Sequence, residues 1–199
     1  MKNIFIVALI LLLIIGFNTQ SLAQAPVGIS KGIKGGLNFA NFRGDDVEGN
    51  SSRKALVVGG FVKINLLNII ALQPEVLYSG KGAEFEVNSN KTTTKITYLE
   101  IPLLIRLNTI NAGVLKAGLI AGPSFAFTLS AKSDDTDIKN SIKSNDMGAV
   151  VGIGVDLGAG VISLTGDVRY TLGLNSIDDS GADLDIKNGV FSVMVGIGF

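Results

Sequence analysis

Gly189-Val-Phe-Ser-Val-Met-Val-Gly-Ile-Gly-Phe199 divides into two unlike faces when read with the period of two that a strand imposes. Phe191, Val193, Val195, Ile197 and Phe199 form one strongly apolar side. Val190, Ser192, Met194, Gly196 and Gly198 form a narrower, mixed one. The strand stops on an aromatic at the final carboxylate, where a soluble domain more often ends in polar, fraying sequence. A barrel of the bacterial outer membrane explains such an ending, because its last strand must pair with its first and leave no edge in lipid.

Working back from that strand, the same alternation recurs. Gly32 to Asn41, Ala55 to Ile64, Ile69 to Ser79, Ile96 to Leu107, Val114 to Ser130, Asp146 to Leu157 and Val161 to Leu172 each set aliphatic residues against Gly, polar or charged ones. With Gly189 to Phe199 these make eight strands of about 10 to 12 residues, the length that crosses a bilayer at a tilt. No stretch reads as a helix. The connections alternate between long polar segments (Phe42 to Lys54, Gly80 to Lys95, Ala131 to Asn145, Gly173 to Asn188) and short turns. Phe85 and Val87 mark the second long segment as a hairpin that projects past the membrane. Long loops on one side and short turns on the other are the mark of an up-and-down membrane barrel.

Composition narrows the chemistry. The 199 residues carry 17 basic and 17 acidic side chains, so no net field favours nucleic acid. Cys and His are both absent, which removes thiol catalysis, Ser-His-Asp triads and His-ligated metals together. The N-terminus carries Lys2, an apolar run from Ile4 to Phe17 and small residues at Ser21 and Ala23. That is the pattern of a secretory signal peptide cleaved before Gln24, and the run is too short to span a bilayer. The expected organisation is a signal peptide over 1–23 and a single barrel domain over 24–199.

A soluble lipocalin-like carrier would alternate in the same way with its apolar face inward. Two features favour lipid outside. The non-apolar face is rich in Gly (36, 60, 118, 122, 148, 152, 154, 196, 198), which suits a lumen just wide enough for side chains to fill. Phe39, Phe42, Tyr78, Phe125, Phe127 and Tyr170 lie beside the long loops, where an interfacial aromatic girdle belongs. The expected fold is all-β, an eight-stranded antiparallel transmembrane barrel of OmpA/OmpX size, with both termini periplasmic.

GIKGGLNFANFRGDD, ALQPEVLYS, TYLEIPLLIRL, AGPSFAFTLSAK, DVRYTLGLNSI and the terminal GIGF resemble the small PorT-like outer-membrane barrels of Bacteroidota, often labelled porin-family proteins. The resemblance runs from about Gly32 to Phe199. It implies an outer-membrane address and, at Phe199, a recognition element for the barrel-insertion machinery. It also admits association with a secretion apparatus as an accessory or a narrow channel.

Glu75, Glu100, Arg106, Lys116, Asp167 and Arg169 fall on the narrow face and are expected to form a charge network that plugs the lumen, with Glu75 and Glu100 sharing Arg106 or Arg169. A gated ion path is the functional alternative for the same residues. Acid-rich loops (Asp45, Asp46, Glu48; Asp134, Asp135, Asp137; Asp178, Asp179, Asp183, Asp185) read as solvated, with loose cation bridging to lipopolysaccharide phosphates as an alternative. Asp183 to Gly189 fails as a calcium loop, since Lys187 takes a ligand position and no Glu follows. Gly152, Gly154 and Gly158 match a dinucleotide fingerprint only in spelling, because a strand follows them rather than a helix. No cofactor or metal is expected. The expected function is non-enzymatic: a rigid mount whose loops contact outer-membrane lipids and lipopolysaccharide, a protein partner or a surface ligand.

Overall fold

The computed structural model describes residues 28–47, 49–67, 69–87, 90–182 and 184–199. The expected signal peptide over 1–23 and two of the loop acids, Glu48 and Asp183, lie outside them. The barrel strands are β1 (Gly28–Arg43), β2 (Asn50–Asn65), β3 (Ile70–Val87), β4 (Asn90–Ala112), β5 (Leu115–Ser133), β7 (Asn145–Ala159), β8 (Ile162–Gly173) and β9 (Lys187–Gly198). A two-residue β6 (Thr136–Asp137) and a 3-10 turn (Lys139–Ser141) sit within the loop after β5.

Every neighbouring pair is antiparallel, and β1 pairs with β9 from Gly32 opposite Gly198 to Arg43 opposite Lys187. β4 also pairs with β5, so the eight strands form a closed ring. The closing strand is sealed at its last residue. Phe199 donates its N–H to Lys31 O at 2.8 Å and accepts the Lys31 N–H at 2.9 Å.

The direction of the faces excludes a soluble carrier. Ile33 is 65% exposed, Leu56 70% and Val195 69%, whereas Glu75 and Arg106 are 1% exposed. Apolar side chains therefore cover the outer wall and ionic ones fill the interior. Such a wall is stable in hydrocarbon, where a strand's polar backbone must be satisfied by its neighbours.

The strands run from 12 to 23 residues, longer than the alternation alone predicts. The second long segment, Gly80 to Lys95, is the projecting hairpin that Phe85 and Val87 mark: Gly80 to Val87 pairs residue for residue with Thr97 to Asn90. β2 begins at Asn50, inside a stretch that reads as loop. Both extensions are largely polar, so no hydrophobic period announces their full length. The barrel thus has a turn end, with short connections at 66–69, 113–114 and 160–161, and a loop end that projects further.

Candidate functional site

Two layers of charge cross the lumen. In the layer nearer the turn end, Lys34 Nζ donates to Glu75 Oε1 at 2.7 Å and also pairs with Asp167. Arg169 Nη2 donates to Glu75 Oε2 at 2.9 Å, and Gln73 Nε2 to Glu75 Oε1 at 2.6 Å. Arg106 reaches Asp167 Oδ1 at 3.1 Å and Asp156 Oδ2 at 3.2 Å, and Lys63 closes the chain on Asp156 Oδ1 at 2.7 Å. In the layer nearer the loop end, Lys81 lies 3.4 Å from Glu100 and 3.7 Å from Asp146. Ser124 Oγ donates to Glu100 at 2.7 Å, and Asn188 Nδ2 donates to Asp146 at 2.9 Å and to the Tyr98 hydroxyl at 3.2 Å.

Lys34, Lys63, Lys81, Arg106 and Arg169 thus face Glu75, Glu100, Asp146, Asp156 and Asp167, five cations against five anions. Among the described residues these ten paired charges cancel. Taking so many charges out of water is tolerable only because each finds an opposite charge within ion-pair distance.

Glycine makes the room. A Cβ on Gly154 would lie 2.7 Å from Arg106 Cζ, and one on Gly152 would lie 2.7 Å from the Arg169 backbone at Cα. At Gly154 the missing side chain leaves room for the Arg106 guanidinium, and at Gly152 for the close approach of the neighbouring strand at Val168 and Arg169.

Five of the six charges expected in the lumen lie there: Glu75, Glu100, Arg106, Asp167 and Arg169. Their partners differ from the expected ones. Glu75 takes Arg169 and Lys34, Glu100 takes Lys81, and Arg106 goes to the two aspartates, so Glu75 and Glu100 share no arginine among these contacts. Lys116 is half-buried at the turn-end mouth, in a cavity of about 330 Å³, and joins none of these ion pairs. Lys34, Lys63, Lys81, Asp146 and Asp156 complete the network and are absent from the sequence-based set.

The expected aromatic girdle divides. Phe39, Tyr78, Phe125, Phe127 and Tyr170 point outward, and Phe191 joins them through a ring contact with Phe39 at 6.2 Å. Phe42 does not. Three residues beyond outward-facing Phe39, it has the opposite parity and is buried in the loop-end mouth against Phe85, with ring centroids 6.1 Å apart. There it belongs to an apolar cluster with Ala83, Ile96, Tyr98, Ala126, Ala131 and Ile177.

The loops are tied to one another above this cluster. Lys143 donates its N–H to Ile177 O at 2.8 Å, and Asp179 donates to Ser141 O at 2.9 Å. The Asp46 carboxylate accepts the Asp185 N–H at 2.7 Å. Asp178 accepts from the Ser180 hydroxyl at 3.0 Å and from the Leu184 N–H at 3.4 Å. The slight burial of Asp178 opposes its ionisation, but these hydrogen bonds outweigh it and hold the carboxyl below the usual aspartate range. Several of the acids are thus loop fasteners, and no cluster of three or more potential metal ligands occurs among the described residues.

A family model described as the outer membrane protein beta-barrel domain matches residues 20–179. The chain belongs to that family. Members of that family are proteins of the bacterial outer membrane, and that is where this barrel resides. Among solved structures, Neisserial surface protein A shares 14% identity and superposes with a TM-score of 0.57, over 88% of this chain and all of that one. The N-terminal barrel domain of Pseudomonas aeruginosa OprF (14% identity, TM-score 0.48, covering 85% and 96%) and Yersinia pestis Ail (11%, 0.48, covering 85% and 98%) are also similar. At such identities the likeness concerns the fold of this barrel family alone. No curated protein sequence matches the chain.

Proposed function

We propose that the protein is a non-enzymatic, non-conducting barrel whose loop end faces out of the cell and engages lipopolysaccharide. The observation that carries this reading is a collar of cations on the outer wall. Level with the outward aromatics or just beyond them, the outward positions carry Lys54, opposite Phe39, and Arg43, Lys95, Lys132 and Lys187. Lys95 stands directly opposite Lys132, and Arg43 directly opposite Lys187. Like charges placed so destabilise a sheet unless something neutralises them. Protein carboxylates do so in part: Lys187 pairs with Asp185 at 2.8 Å, and Asp137 stands opposite Lys132. Glu84 near this level is taken by Lys91 at 2.6 Å. Lys54 and Lys95 are exposed, with no ion pair among the described residues. Phosphates of an outer leaflet fit the remaining demand, because they lie just above the hydrocarbon at the height of an aromatic girdle.

Co-purification of lipopolysaccharide with the detergent-extracted barrel tests this reading. Wild type should retain it, and the triple variant Lys54→Gln, Lys95→Gln, Lys132→Gln should lose most of it at unchanged heat-modifiable migration. Equal retention by the two would overturn it.

The resemblance to PorT-like barrels supports a second reading, a secretion accessory or narrow channel. Discrete current steps in planar bilayers would favour the channel, and capture of secretion-machinery proteins would favour the accessory. Phe199 is proposed as the insertion signal, being 58% exposed at the end of the closing strand. Its deletion should reduce the heat-modifiable folded form in the outer membrane, and a normal level would contradict that role.

A further inference from the structure

The loop-end mouth holds a cavity of about 250 Å³ that the lipopolysaccharide reading does not use. Its walls come from strand ends and from three different loops. Phe42 and Phe85 form one side and Ile138, Ile142 and Ile186 another, with all but Phe42 only half-buried. The wall is built rather than incidental. A bridge between Ile142 and Asp178, with the backbone bonds from Lys143 to Ile177 and from Asp179 to Ser141, fixes one loop against the other. A pocket held in shape before binding spares a ligand the cost of ordering it. Its buried lining residues are Phe42 and Ile177, which pack in one cluster with Ile96 and Tyr98, and the layer of Asn188, Asp146 and Lys81 adjoins Tyr98. It is therefore a blind pocket open to the loop side.

The space exceeds the roughly 150 Å³ that admits a benzene ring into an apolar cavity. The charges in its lining are the carboxylates of Asp46 and Asp178, with no Lys or Arg beside them among the described lining residues. Lys143 acts on Asp178 from outside the lining, whereas Asp46 is engaged only through Oδ2 by the Asp185 N–H and keeps Oδ1 free among the described contacts. Two aromatic faces add further attraction for a cation. We infer that this pocket binds a small hydrophobic ammonium compound, its apolar body between Phe42, Phe85 and the isoleucines and its ammonium at Asp46 and Asp178.

The probe is 2-phenylethylammonium, titrated by ligand-observed NMR onto the full barrel in nanodiscs of zwitterionic lipid, against empty nanodiscs. 2-Phenylethanol and 3-phenylpropionate serve as neutral and anionic counterparts of similar shape. Saturable binding of the amine is expected, with the alcohol weaker by about tenfold or more, as loss of a charge-assisted hydrogen bond requires. The acid should not bind. Ile142→Trp, which fills the pocket, should abolish amine binding. The double variant Asp46→Asn, Asp178→Asn keeps the volume and should bring amine and alcohol to equal affinity. Equal affinity of amine and alcohol for wild type would overturn the inference. So would amine binding that survives in folded Ile142→Trp or is matched by empty nanodiscs. None of these outcomes depends on whether the cationic collar holds lipopolysaccharide.

Discussion

The two halves of the interior have opposite polarity. From Lys63 to Lys81 the lumen is ionic, and the wall outside it is Ile, Leu and Val. From Tyr98 to Ile177 the interior is apolar, and the wall outside it carries Arg43, Lys54, Lys95 and Lys132. One strand, β4, shows the exchange within a few residues. Glu100 and Arg106 face in where Leu103 and Ile105 face out, whereas Ile96 faces in where Lys95 faces out. The same chain is an inside-out protein in one stretch and an ordinary one in the next. Solvent explains the switch, because apolar surface goes outward only where the outside is hydrocarbon. The level at which polarity inverts, near Glu100 and Tyr98, therefore marks the loop-end edge of the hydrocarbon on the protein itself.

This contrast makes the two regions respond differently to damage. The largest effect is expected in the ionic half. Arg106→Ala leaves Asp156 with Lys63 alone and Asp167 with Lys34 alone, so the buried network is one cation short, and removing one partner from a buried pair costs about 3–5 kcal/mol. Urea unfolding of the barrel in lipid should show a drop of that size, and a change below about 1 kcal/mol would mean that water already reaches these carboxylates.

Smaller losses are expected where only packing is disturbed. Gly154→Val pushes a branched side chain onto the Arg106 guanidinium and should cost about 1–3 kcal/mol in the same measurement, as overpacking does. Ile177→Ala in the apolar half should leave the barrel transition in place. It removes an anchor of the long loop beneath the mouth, so it should instead speed proteolysis of 134–144 and 174–186 several-fold, as local opening does. A matching fall in global stability would show that the mouth and the membrane barrel unfold as one unit.

The smallest effect is electrostatic and lies at the loop surface. Asp178 has a folded-state pKa below its unfolded value, so its contribution is fully present above the unfolded value and fades as pH falls through the folded one. Amide exchange in the 176–186 loop should therefore rise, beyond the intrinsic pH effect, as the solution is taken below about pH 4, the unperturbed aspartate range. In Asp178→Asn that extra rise should vanish.

Much of the membrane half is legible from the chain. Strand alternation and the rhythm of long and short connections lead to eight strands, and the Gly-rich narrow face announces a tight lumen. Glu75, Arg106, Asp167 and Arg169 stand out because each interrupts a strand's small or polar face amid apolar neighbours. Lys34 and Lys63 carry the same signal, since parity with Gly36 and Phe61 turns them inward. Lys81 does not, because it falls in a polar stretch without apolar period, which reads as part of a projecting hairpin rather than of the lumen. The mouth is less legible still. Ile138, Ile142, Ile177 and Ile186 are single apolar residues in acid-rich segments, and only the return of two loops over the barrel brings them together. Phe42 could be placed by counting parity from Phe39, a constraint stronger than its nearness to a loop.

The inverted polarity of the membrane half is tested most directly by site-directed spin labelling of the closing strand in bilayers. The chain contains no Cys, so each introduced one is unique. Labels at Ser192→Cys, Val193→Cys, Met194→Cys and Val195→Cys should alternate. Those at 193 and 195 should be relaxed strongly by lipid-soluble oxygen and little by a water-soluble nickel chelate, and those at 192 and 194 should be shielded from both. Relaxation of the 193 and 195 labels by the nickel chelate, with oxygen reaching 192 and 194, would place water where the barrel wall requires lipid and contradict the inside-out reading.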